Sequence, residues 1–121
     1  MTDEVPPPAY DPYFSSIETM SYDAKMDVFS SYLHDQLVAR GYSVFRSTYA
    51  SNIVIHIIDR ETQCINRYRI HYRNISNHRY WLFHQIEFDC CHAKRSEYET
   101  FANYILFKIT HPEKKSTCEV L

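Results

Sequence analysis

Side chains able to hold a metal or attack an electrophile concentrate in one stretch of the chain, Asp89-Cys90-Cys91-His92. A thiolate beside an imidazole is the minimum for cysteine nucleophilic catalysis, and Cys, His and Asp together are zinc ligands. The spacing argues against both. His92 is too near Cys91 in sequence to face its thiol easily, and a chain with 1 Gly has no glycine-shaped loop for an oxyanion. The same scarcity excludes a dinucleotide fingerprint or a phosphate-cradling loop. His34, His56, His71, His78, His84 and His111 are scattered without the spacing of a ligand pair. Among them His56 sits in the run Ile53–Ile58, where a hydrogen-bonded core histidine is expected. The expectation is a non-enzymatic protein with no metal and no cofactor.

A second chemistry is charge. Arg67, Arg69, His71 and Arg73 alternate with Tyr68, Ile70 and Tyr72, so on a strand they share one face, about 7 Å apart. Arg79 follows beyond a turn, with Tyr80 and Trp81 as candidate stacking surfaces. Such a row suits anionic lipid or a single nucleic-acid strand. The formal net charge of -2, from 13 Lys+Arg against 15 Asp+Glu, argues against nucleic acid as a partner drawn by bulk charge. Glu87 is placed to neutralise part of the row, and the outer face of any two-layer sheet is charged for solvation alone.

Both ends carry short motifs. Pro7-Pro8-Ala9-Tyr10 resembles the PPxY ligand of WW domains, in which prolines prepay the entropy of an extended helix and the tyrosine fills a pocket. Pro7, Pro8 and Tyr10 are the contact residues that this resemblance implies. It also implies recruitment of HECT-type ubiquitin ligases, or of budding machinery if the chain is a matrix or accessory protein of an enveloped virus. The end, Cys118-Glu119-Val120-Leu121, resembles a CaaX prenylation box with Cys118 as acceptor and a terminal Leu of the geranylgeranyl type. Glu119 departs from that pattern, since an aliphatic residue is usual there. One prenyl group with Lys114 and Lys115 gives reversible peripheral binding only.

The elements that carry these residues follow from periodicity. Tyr22, Met26, Phe29, Leu33 and Leu37 recur at helical spacing after the cap Ser21 and before Gly41, predicting a helix over 22–40. Strands are predicted over 43–49, 52–59, 64–73 and 80–88, with short turns between them. A second helix is predicted over 96–109, stopped by Pro112. The fold class is α+β, a two-layer sandwich of order α-β-β-β-β-α with an antiparallel meander and both helices on one face. Residues 1–18 read as a disordered Pro-rich arm, 19–111 as the domain, and 112–121 as a flexible tail.

Four cysteines, Cys64, Cys90, Cys91 and Cys118, without a C-x-x-C pair or an apolar leader, suggest free thiols in the cytoplasm. The membrane contact, where it occurs, would then be peripheral and on the cytoplasmic face. Oligomeric state leaves no trace in the residues.

Overall fold

A computed structural model describes residues 13–112 and 119–120. The first helix, α1, spans Tyr22–Ala39. Ser21 caps it, its hydroxyl accepting from the Ala24 N–H at 3.2 Å, as a short oxygen-bearing side chain does at a helix start. At the other end Tyr42 N–H donates to Leu37 O and Gly41 N–H to Val38 O. This is a Schellman closure, and it requires the left-handed backbone that Gly41 takes at φ 94°. The second helix, α2, spans Arg95–Thr110; the Glu97 carboxylate accepts from the Lys94 N–H at 2.6 Å and satisfies one of its first donors.

Between the helices run β1 (Ser43–Tyr49), β2 (Asn52–Asp59), β3 (Cys64–Ile75), β4 (His78–Phe83) and β5 (Ile86–Asp89). They form an antiparallel meander in sequence order. The long β3 pairs its first half with β2 and its second half with β4. A two-residue β6, Glu119–Val120, lies beside the start of β3, Val120 opposite Cys64. The α+β sandwich expected from periodicity is therefore the fold, with a fifth strand in the meander and β6 beside β3. The predicted strand over 80–88 is a hairpin, because His84 takes φ 54° and reverses the chain so that Phe83 faces Ile86. No glycine, proline or asparagine marks that turn, so alternation alone reads straight through it.

Register decides the faces. Ile53 lies opposite Ile70, Ile55 opposite Tyr68, and Trp81 opposite both Tyr72 and Phe88. These side chains face the helices and pack with Phe29, Leu33 and Leu37 of α1 and with Tyr98, Phe101 and Ile105 of α2. Aromatic rings dominate the contact: Phe88 stacks on Phe101 at 4.5 Å, and Phe29 meets Trp81 at 4.7 Å. Tyr98 donates to Cys90 O, and burial raises the pKa of its phenol well above the ordinary range, with Cys90 adding to the shift.

The segment before α1 also belongs to the folded unit. Phe14 and Ile17 are fully buried, Ile17–Thr19 forms a 3-10 turn, and the Tyr13 hydroxyl donates to Asp35 at 2.5 Å. That bond, with one from His34, holds the Asp35 carboxyl below its usual range. The arm expected over 1–18 thus gives way to the fold at Tyr13. Composition misplaced the boundary because the apolar anchors Phe14 and Ile17 stand among serines, too few to make a periodic pattern. Residues 1–12 of that expected arm lie outside the described residues, as do 113–118 and 121 of the expected tail.

The β1–β2 turn, Ala50-Ser51, has φ 51° and 69°, the geometry of a two-residue type I′ hairpin. Neither residue favours it. Ala50→Asn combined with Ser51→Gly is expected to stabilise the protein by about 1 kcal/mol, read as a raised urea midpoint at constant m-value. An unchanged or lowered midpoint would refute the idea that this turn holds relievable strain.

Candidate functional site

The alternation of β3 sets Arg67, Arg69, His71 and Arg73 on the face turned away from both helices, and all four are exposed. Neighbouring strands add to this face in register: Phe45 and His56 beside Arg67, Val54 beside Arg69, Leu82 beside His71, and Tyr80 beside Arg73. Phe45 is 46% exposed and Tyr49 76%. This outer face therefore combines guanidinium groups with open aromatic surface. Arg73 lies 3.8 Å from Glu87, both half-exposed, and a pair so open to water holds only about 0–1 kcal/mol.

His56 organises the centre. Its ring stacks on Phe45 at 4.3 Å with the planes 6° apart. Arg67 Nε donates to its Nδ1 at 3.2 Å, and its Nε2 meets Ser47 Oγ at 2.9 Å. An arginine only donates, so Nδ1 is the acceptor and Nε2 carries the proton given to Ser47. Burial lowers the His56 pKa, and Arg67 and Arg69 push it further down. The ring is accordingly a neutral, hydrogen-bonded element of the face.

Two residues grouped with this row in sequence go elsewhere. Arg79 pairs with Asn74 and so points to the opposite face, where its guanidinium lies 5.3 Å from the centre of the Tyr22 ring. Trp81 is fully buried and has no surface to offer a base. Both follow from parity: one residue along a strand reverses the side chain. Tyr80, between them, stays on the outer face opposite Arg73.

At one corner of the sheet the fold collects titratable groups that spacing leaves apart. The β4–β5 hairpin brings His78 near Asp89, and the turn after β5 returns His92 to both. The ring centres of His78 and His92 are 5.4 Å apart, and His92 Nδ1 lies 3.2 and 3.3 Å from the two Asp89 oxygens. Asp89 Oδ1 also accepts from the backbone N–H of Cys91 at 3.1 Å and of His92 at 3.0 Å. Partial burial works to raise the Asp89 pKa, but these donors prevail and lower it. Spacing offered no convincing ligand pair, yet among the described residues His78, Asp89 and His92 place their ligand atoms within 4.8 Å of one another. Only the Asp89–His92 step, three residues apart, was visible locally. A cleft of about 610 Å³ opens beside the corner, lined by Asp89, His92, Glu87, Glu97 and the rings of Phe88 and Phe101.

The cysteines separate. Burial, then Cys91, pushes the Cys90 thiol up to about 12, so Cys90 is no nucleophile at neutral pH. Cys90 and Cys91 are free. Cys64 is disulfide-bonded, which corrects the expectation of four free thiols. Sequence spacing could not reveal it. Pro7, Pro8, Tyr10 and Cys118 lie outside the described residues. Comparison with protein-family models, with curated proteins and with solved structures finds no match for this chain.

Proposed function

We propose that this chain is a non-enzymatic adaptor whose opening motif, Pro7-Pro8-Ala9-Tyr10, engages the WW domain of a partner such as a HECT-type ubiquitin ligase. The observation that carries the reading is the motif itself, set three positions ahead of Tyr13. Tyr13 and Phe14 anchor the chain to the folded body through Asp35 and the core, so a ligase bound at Tyr10 would be held close to whatever that body contacts. Tyr10→Ala is expected to weaken WW-domain binding by about 2 kcal/mol, roughly thirtyfold, as loss of an aromatic anchor does. Calorimetric titration of the full chain with isolated WW domains measures it, and equal affinity in the variant removes the reading.

The cargo side of this adaptor is the outer sheet face, and a second reading rests on that face. Exposed Arg67, Arg69 and His71 beside Phe45 and Tyr49 suit a layer lying on anionic lipid, the position of a matrix or accessory protein of an enveloped virus. Contact would be peripheral: among the described residues no helix is long and apolar enough to cross a membrane. Each arginine near an anionic surface is worth about 1 kcal/mol. Arg67→Ser with Arg69→Ser should therefore weaken flotation on phosphatidylserine vesicles roughly thirtyfold at low salt. Unchanged flotation reduces the row to a solvated face, and salt-dependent capture of single-stranded RNA in place of vesicles would favour a nucleic-acid partner.

A further inference from the structure

We propose that His78, Asp89 and His92 form a Zn²⁺ site at the corner of the sheet, independent of the adaptor reading. Two imidazoles and one carboxylate are the nitrogen and oxygen donors that zinc accepts, with water completing the set. Calcium and magnesium prefer oxygen donors alone. Zinc ligands about 2.1 Å from the metal in a tetrahedron stand roughly 3.4 Å from each other. The 3.2 Å and 3.3 Å separations of His92 Nδ1 from the two Asp89 oxygens already meet that spacing. All three ligand atoms lie within 4.8 Å of one another, so closing the set needs a shift of at most about 1.4 Å, available to the exposed ring of His78.

The surroundings favour a cation. The N–H groups of Cys91 and His92 hold Asp89 from behind, the outer support that orients a ligating carboxylate. His78 opens β4 and Asp89 closes β5, so two ligands sit on paired strands rather than on a loose loop. Glu87 and Glu97 line the adjoining cleft and add negative potential beside the site. Zinc there would tie the β4–β5 hairpin to the segment that enters α2.

Titration of Zn²⁺ into the untagged full chain should show one ion per molecule. His78→Ala, His92→Ala and Asp89→Asn should each weaken it at least tenfold, the last retaining an oxygen for the backbone donors. His71→Ala and Cys91→Ser should leave affinity unchanged. Imidazole resonances of the unmodified chain provide a readout that needs no variant: Zn²⁺ should move those of His78 and His92 and leave those of His71 and His111 in place. No stoichiometric uptake, full affinity after His78→Ala, or zinc-induced shifts at the other histidines would each overturn the site.

Discussion

Trp81→Ala is expected to destabilise the protein by about 4 kcal/mol, within the span for an aromatic side chain truncated in a closed core. The indole is fully buried and touches Phe29, Phe88, Tyr98 and Tyr22, with ring centres 4.7 to 6.2 Å away. These neighbours come from α1, β5 and α2, three elements with no common backbone to draw them inward, so the space left behind closes poorly. The indole N–H donates to Tyr22 Oη at 2.8 Å, and that hydroxyl donates to Ser51 O at 2.9 Å. Burial raises the Tyr22 phenol well above its ordinary pKa, and the Trp81 bond opposes the rise. Trp81→Phe separates the two losses: it keeps most of the packing and forfeits the N–H, so about half the effect is expected. Trp81 is the 1 Trp of the chain, so unfolding in urea is followed by circular dichroism, not by fluorescence. A loss below about 2 kcal/mol for the alanine variant would mean that the three elements pack without it.

Lys25→Met is expected to cost about 3 kcal/mol, because the buried oxygens that its ammonium satisfies lose their donor. Lys25 is 4% exposed. Its ammonium donates to Ile17 O at 2.9 Å and Glu18 O at 3.4 Å, and meets Tyr98 Oη at 3.3 Å. These carbonyls lie in the 3-10 turn before α1, so a single cation fastens the entering chain to α1 and α2 together. Methionine keeps the length and apolar volume of the stem, which isolates the ammonium as the cause. The loss should appear first as faster amide exchange in residues 17–20, ahead of the sheet. Urea midpoints and exchange rates measure it, and a variant as stable as the parent would show that stem burial, not the charge, holds the turn.

Much of this architecture follows from local pattern. Tyr22, Met26, Phe29, Leu33 and Leu37 mark α1 because a 3.6-residue repeat needs no knowledge of what it packs on. The alternation over 64–73 places Arg67, Arg69, His71 and Arg73 together for the same reason. His56 reads as a hydrogen-bonded core histidine from its isoleucine neighbours; the structure supplies its partners, Ser47 and Arg67, but sets it on the outer face rather than in the core. Where pattern fails, the missing information is non-local. Phe14 and Ile17 become core only because α1 and α2 present a surface to receive them. Arg79 and Trp81 change faces once the turn at Ser76-Asn77 sets parity, and His84 divides a strand that alternation runs straight through.

Residue types and their repeat were sufficient for the helices, the antiparallel order of the strands, the charged face of β3 and the motif at Pro7-Pro8-Ala9-Tyr10, since each rests on the spacing of near neighbours along the chain. Tertiary contact was needed to bring His78 to Asp89 and His92, to join the C-terminal β6 to β3, and to bury Lys25 beneath the entering chain. Those meetings depend on strand register and on which turn reverses the chain, and a shift of one position moves every side chain to the other face.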